Sequence, residues 1–141
     1  MNLAIISDVH ANFEAIKAIS ADLSHADAIL CLGDVLGYYT QVNETMDWVR
    51  SHVTHCVLGN HDHFVLHGCP PGCPDAVRFG VDLAVASLDT EHARWLAQLP
   101  LTWQGTLDGC SCMAVPGIRS TTISTPIIRG SPNSTRLRNS R

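Results

Sequence analysis

Three short apolar runs, residues 3–6, 28–32 and 56–58, carry no polar alternation. Continuous apolar runs of that length suit strands of a parallel sheet covered on both faces, so each is predicted to be an inner strand. Between the first two, Phe13, Ile16, Ile19 and Leu23 recur at three- and four-residue steps after Asn12. That period predicts an amphipathic helix with Asn12 as its N-cap. Val42, Met46, Val49 and Val53 repeat the pattern between the second and third runs. The first sixty or so residues therefore read β-α-β-α-β, with crossovers expected to be right-handed. The fold class that follows is α/β, a layered sheet with flanking helices.

Further along, Gly68-Cys69-Pro70-Pro71-Gly72 must be a loop, because two prolines cannot continue a helix or a central strand. Helices are predicted over residues 75–87 and 90–99, the second ended by Pro100. Residues 101–104 and 110–115 flank Asp108-Gly109, a dipeptide suited to a tight hairpin.

The chain has 141 residues, room for one domain, and its 45% hydrophobic and 16% charged composition excludes a disordered chain and a coiled coil. A net charge of −4 argues against a basic nucleic-acid binder. No apolar run is long enough to span a bilayer and no basic leader precedes the first strand, so a cytoplasmic protein without membrane contact is expected. Cys31 and Cys56 lie inside apolar runs and are expected to be core thiols. Cys69 with Cys73, and Cys110 with Cys112, have spacings unlike the paired blocks of a structural zinc site.

Composition breaks at Pro116. Residues 116–141 hold five arginines and nine serines or threonines, with no acidic residue, lysine, histidine or aromatic. The remaining four Lys/Arg face all 13 Asp/Glu in residues 1–115, a net of −9 there against +5 in the tail. Two regions are expected: a folded domain over 1–115 and a disordered tail over 116–141.

The chemistry concentrates where each strand ends. Asp8-Val9-His10 follows the first, Gly33-Asp34 the second and Gly59-Asn60-His61-Asp62 the third, with Asp8, Asp34 and Asn60 each 26 positions apart. Equal β-α repeats bring the carboxyl ends of neighbouring parallel strands to one edge, where open α/β sheets bind ligands. Carboxylate, imidazole and amide oxygen in one place suit a divalent cation such as Mn, Fe or Zn. Taken singly, Gly33-Asp34 reads equally as a turn, and Asp8 or Asn60 as a helix cap. Tyr38 and Tyr39 are candidates for a substrate face. His25, His52, His55 and His92 read as solvent-facing; His63 and His67 follow the last motif and are weaker ligand candidates. The tryptophans read as packing residues.

Asp-x-His, Gly-Asp and Gly-Asn-His-Asp in this order resemble the calcineurin-like metallophosphoesterases. Ser7-Asp8-Val9-His10-Ala11-Asn12 and Leu32-Gly33-Asp34-Val35-Leu36-Gly37-Tyr38 are similar to the small prokaryotic phosphodiesterase branch. The resemblance runs from residue 1 to about 115 and implies the first part of an α/β/β/α sandwich. It implies two divalent metal ions (Mn, Fe, Zn or Ni, with Mn favoured). Asp8 and His10 would hold the first, Asp34 would bridge and Asn60 would hold the second. It further implies a catalytic His61 beside the leaving group, its ring oriented by Asp62, and a phosphate-ester small molecule or nucleotide as substrate. An oligomer is left open, and a non-catalytic metal- or phosphate-binding protein is the alternative.

The family pattern also contains a later His-Gly and a Gly-His-x-His element, and this chain has no histidine after His92. Three of four ligands implied for the first metal are present, and two of four for the second, so impaired activity is expected. Pro116-Gly117 stands where the first missing histidine would fall. Back-translated and read from the third base of each codon, the residues from Gly117 onward permit Gly/Arg, Asp/Asn, Pro, Leu/Phe, Asp, Asp, Tyr, Leu, Tyr, Pro. That string resembles the segment after His-Gly in the phosphodiesterase branch, and the expectation is a C-terminally truncated domain with its tail out of frame.

Overall fold

In the computed structural model, which describes residues 2–107 and 110–114, strands and helices alternate through the first half of the chain. β1 (Leu3–Ile6), β2 (Ala28–Cys31) and β3 (His55–Cys56) form a parallel sheet in the order β1-β2-β3. The crossovers are α1 (Phe13–Leu23) and α2 (Val42–His52), which touch each other. Asn12 caps α1 as its sequence suggests, its Oδ1 accepting from the Ala15 amide at 3.0 Å. Such a cap is worth about 1 kcal/mol.

The three strands are not equally covered. All four residues of β2 are buried, as a continuous apolar run demands. β1 lies at the sheet edge and only half meets the expectation of an inner strand: Ile5 is 40% exposed, with Ile19 of α1 similarly open. β3 is two residues long, because Val57 keeps one ladder bond to the Cys31 carbonyl and Leu58 turns to the Pro100 carbonyl instead.

Three helices follow: α3 (Asn60–His67), α4 (Asp75–Ser87) and α5 (Thr90–Leu96). The first was not legible as a helix in the sequence. α5 stops three residues short of the predicted end, its last turns held through the Leu99 amide on the Leu96 carbonyl before Pro100. α4 packs on α3 and α2, and α2 on α5, around a core that includes Cys31, Leu36, Met46, Val49, Val81 and Leu96. Cys31 and Cys56 are buried free thiols, as expected. Trp48 and Trp95 pack against that core, while Trp103 stacks on His55 at 4.1 Å between ring centroids. β4 (Trp103–Leu107) and β5 (Cys110–Ala114) pair antiparallel with Leu107 opposite Cys110, and the hairpin turn expected at Asp108-Gly109 lies outside the described residues.

His92 departs from its solvent-facing reading. It is 4% exposed, with Nδ1 at 2.9 Å from Arg50 Nη1 and Nε2 at 3.3 Å from Asp47 Oδ1. Two polar partners on α2 make burial of this α5 imidazole tolerable. No helix among the described residues is long and apolar enough to cross a membrane. The expected tail at 116–141, and the side chains of Cys110 and Cys112, lie outside the described residues.

Candidate metal centre

The loops leaving β1 and β2 are laced together. The Asp8, His10 and Ala11 amides donate to the Gly33, Asp34 and Val35 carbonyls at 3.2, 2.9 and 2.7 Å, and the Tyr39 amide returns to the His10 carbonyl at 2.9 Å. This lacing holds four non-glycine residues at positive φ: Asp8 (56°), His10 (53°), Ala11 (62°) and Asp34 (53°). The left-handed region costs an L-residue on the order of 1–2 kcal/mol, and such strain collects at functional sites. Three of the four, Asp8, His10 and Asp34, are predicted site residues.

Close backbone approach completes the scaffold. A Cβ on Gly59 would collide with the Asp34 amide nitrogen and carboxylate Oδ1, so only glycine lets the loops after β2 and β3 meet. Across that contact, Asp34 Oδ1 accepts from the His61 amide at 2.8 Å. Gly37, at φ 152°, sits directly on the rings of His10 and His61.

Donor atoms of His10, Asp34 and His61 lie within 4.8 Å of one another. His10 Nδ1 is 3.1 Å from the Leu36 carbonyl, which fixes that nitrogen as the donor and leaves Nε2 as a free lone pair. Asp8 stands beside it, with Oδ1 3.7 Å from His10 Nε2 and a side chain 67% exposed. His61 Nδ1 is buried and has no hydrogen-bond partner. The amide of Asn60 has one polar atom 3.2 Å from Asp34 Oδ2 and the other 3.3 Å from the His61 amide. Turned one way, its nitrogen donates to Asp34. An orphaned imidazole nitrogen, a second imidazole Nε2 and the Asp34 carboxylate fit a hard-to-borderline divalent ion.

Burial dominates the electrostatics. It raises the pKa of Asp34, opposed by the His61 amide and by the His61 and His10 rings, and it lowers that of His61. Asp62 is fully buried and is pushed up to about 6 by desolvation, against hydrogen bonds from backbone amides.

Asp62 does not orient the His61 ring. Its Oδ1 accepts from the Leu36 amide and its Oδ2 from the Gly59 amide, both at 3.0 Å. It ties the Leu36 loop to the start of α3, a scaffold role that the polar string Gly59-Asn60-His61-Asp62 did not reveal. Tyr38, by contrast, lies edge-on to His10 at 4.7 Å and 5.0 Å from His61. With Tyr39, Asp8 and His10 it lines a groove of about 570 Å³ running along β1 and α1. His63 and His67 are exposed on α3 and pack on each other at 4.4 Å, outside the donor cluster.

Fold and site together define an α/β protein with a cluster of imidazole and carboxylate donors at the carboxyl edge of a parallel sheet. The sequence pattern of the calcineurin-like phosphoesterases matches residues 1–130. An uncharacterized protein of Methanocaldococcus jannaschii, MJ0912, is 34% identical over 115 residues, which cover 76% of this chain and 45% of that protein. The metallophosphoesterase of Sphaerobacter thermophilus is similar in structure, with a TM-score of 0.62 at 33% identity over 73% of this chain and 43% of its own. The hypothetical protein PH1004 of Pyrococcus horikoshii OT3 shares the fold, with a TM-score of 0.68 at 14% identity over 79% of this chain and 52% of its own. The chain belongs to the calcineurin-like phosphoesterase family, a family of metal-dependent phosphate-ester hydrolases. It spans less than half the length of the curated relative it matches.

Proposed function

We propose that this chain carries metal ligands of a centre that hydrolyses a phosphomonoester or phosphodiester, the substrate being a small molecule or a nucleotide. One observation supports this above the others: His10, Asp34 and His61 converge within 4.8 Å on a strained, cross-laced edge, with Asp8 and Asn60 beside them. In this reading Asp8 and His10 hold one divalent cation, Asp34 is shared with a second, and Asn60 serves the second. Bound there, the two cations would supply Lewis-acid polarisation of the phosphoryl oxygens and a water of lowered pKa.

The chain's own residues do the positioning. The Leu36 carbonyl fixes the tautomer of His10, and the His61 amide fixes the Asp34 carboxylate. His61, in edge contact with His10 at 4.6 Å, offers its imidazole to the leaving group or a phosphoryl oxygen. Tyr38 and Tyr39, 43% and 53% exposed, present aromatic faces to the organic part of the ester along the groove. No covalent phosphoenzyme is required.

A non-catalytic metal- or phosphate-binding role is the second reading, favoured by the lack of any histidine after His92. The test pairs Mn²⁺ titration with hydrolysis of p-nitrophenyl phosphate and its bis ester, for wild type, Asp34→Ala and His61→Ala. Asp34→Ala should weaken Mn²⁺ binding by at least about tenfold. His61→Ala should lower turnover by roughly a hundredfold or more. Tight Mn²⁺ binding without wild-type turnover selects the second reading. Equal binding and turnover in all three chains overturns both.

A further inference from the structure

Two histidines of α3 stand outside the metal centre and touch each other. His63 and His67 lie four residues apart on the same helix, with ring centroids 4.4 Å apart and planes tilted by 45°. Residues at that spacing share a helix face, whereas residues two apart do not. His61 is accordingly buried among the donors of the centre, while His63 and His67 are exposed. Neither belongs to the donor group of His10, Asp34 and His61. No hydrogen bond or ion pair among the described residues engages either ring, so each neutral imidazole keeps its lone pair for a ligand.

Two imidazoles one turn apart on a helix face have the spacing that zinc-binding His-x-x-x-His helices use. Distance then discriminates between metals. An ion about 2.0–2.1 Å from each nitrogen lies about 3.2 Å from each ring centre, so nitrogens at a right angle about the metal put the centres about 4.5 Å apart, and a tetrahedral angle about 5.2 Å. The observed 4.4 Å matches neighbouring corners of a square-planar or tetragonal ion, the geometry of Ni²⁺ and Cu²⁺.

We propose that His63 and His67 form a second cation site, a two-imidazole chelate for Ni²⁺ or Cu²⁺ on the exposed face of α3. Mn²⁺, at the weak end of the affinity order for such donors, would be left to the carboxylate-bearing centre. Occupancy would act on the helix rather than on the centre's donors. α3 is eight residues long and opens with Asn60 and His61. An ion on the pair would clamp the second turn of a helix too short to be stable alone.

The probe is Ni²⁺ held by iminodiacetate, which leaves adjacent coordination positions open to protein imidazoles. Its binding to the untagged full chain is measured by titration calorimetry for wild type, His63→Ala, His67→Ala, the double variant and Asp34→Ala. Each single histidine substitution should weaken binding roughly tenfold or more, because the remaining imidazole loses the effective concentration its neighbour supplied. The double variant should be weaker than either single one by no more than about twofold, since the chelate is already lost. Asp34→Ala should bind as wild type does, and the exposed substitutions should leave the urea midpoint unchanged. In wild type, the paramagnetic probe should broaden the ring protons of His63 and His67 together, ahead of those of His25, His52 and His55. Equal affinity in wild type and both single variants overturns the proposal, as do losses of about twofold at each position that multiply in the double variant. So does loss of binding in Asp34→Ala, or broadening that reaches His25, His52 or His55 first.

Discussion

Adding one methyl group at Gly59 isolates the close approach on which the centre depends. Gly59 has φ −80° and ψ 173°, extended backbone that alanine adopts freely, so the substitution carries no conformational strain. Restricting the unfolded chain should even favour the variant by about 0.4–1 kcal/mol. Against this, the new Cβ would overlap the Asp34 amide and Oδ1 and lie 2.8 Å from Asp34 Cγ. Asp34 has little room to yield, since its carbonyl accepts from the His10 amide at 2.9 Å and its Oδ1 from the His61 amide at 2.8 Å. Overpacking costs about 1–3 kcal/mol and one broken hydrogen bond about 1 more. The net expectation is a loss of about 2–3 kcal/mol, a large share of the ~5–15 kcal/mol that holds a domain folded. At a urea dependence of ~1.5 kcal/mol per molar, the midpoint should fall by about 1.5–2 M. Trp48 and Trp95, packed against the core, report it by fluorescence. Gly72→Ala is the control: it meets open space but sits at φ 80°, so it should cost only about 1 kcal/mol. A Gly59→Ala chain within about 0.5 kcal/mol of wild type would refute the claimed contact.

Asp62→Asn leaves one of two buried amides, Leu36 or Gly59, without an acceptor, and should cost about 1–3 kcal/mol. Its amide-exchange signature should appear at Leu36 or Gly59; a changed tautomer of His61 with both amides still protected would restore the ring-orienting role. His92→Ala empties a buried position at the α2–α5 contact, while Arg50 keeps Glu91 at 2.6 Å and Asp47 stays in solvent; it should cost about 0.5–3 kcal/mol by urea melt, with Mn²⁺ affinity unchanged. Saturating Mn²⁺ at about a hundred times its Kd should add about 2.7 kcal/mol to wild-type stability, reversed by EDTA, and should add nothing to Asp34→Ala. A melting temperature blind to Mn²⁺ in wild type would rule out the centre.

What was legible in the sequence followed from period and spacing. β1, β2, α1, α2 and α4 could be read because unbroken apolar runs and three- or four-residue steps each have one regular solution. α3 escaped because it opens with Asn60, His61, Asp62 and His63, which present no apolar stripe, and its start is set by Gly59 and Asp62 instead. His92 escaped for a different reason. Its partners Arg50 and Asp47 lie more than forty residues away, and no local pattern announces a long-range polar contact. At the site, spacing carried Asp8, His10, Asp34 and Asn60 to the same sheet edge, but it could not say which carboxylate faces the donors. Asp34 does so and Asp62 does not, because the backbone amides of Leu36 and Gly59 claim both oxygens of Asp62.

Other backbone amides explain why a site so strained can persist. Four left-handed residues at about 1–2 kcal/mol each would relax in an isolated loop. Here every route of relaxation runs through a neighbour. Turning Asp8 or His10 back toward ordinary φ breaks a bond to the Gly33 or Asp34 carbonyl, and moving Asp34 breaks its hold on the His61 amide. Gly33, Gly37 and Gly59 then leave no side chain between the loops to act as a spacer. The donors are consequently held by backbone geometry that two other loops determine, and metal capture should require little rearrangement of the main chain. A site assembled instead by the ion would show the opposite: amide exchange at Asp8, His10 and Ala11 fast in EDTA and slowed by orders of magnitude on adding Mn²⁺. The lacing predicts protection at those three amides before any metal is present.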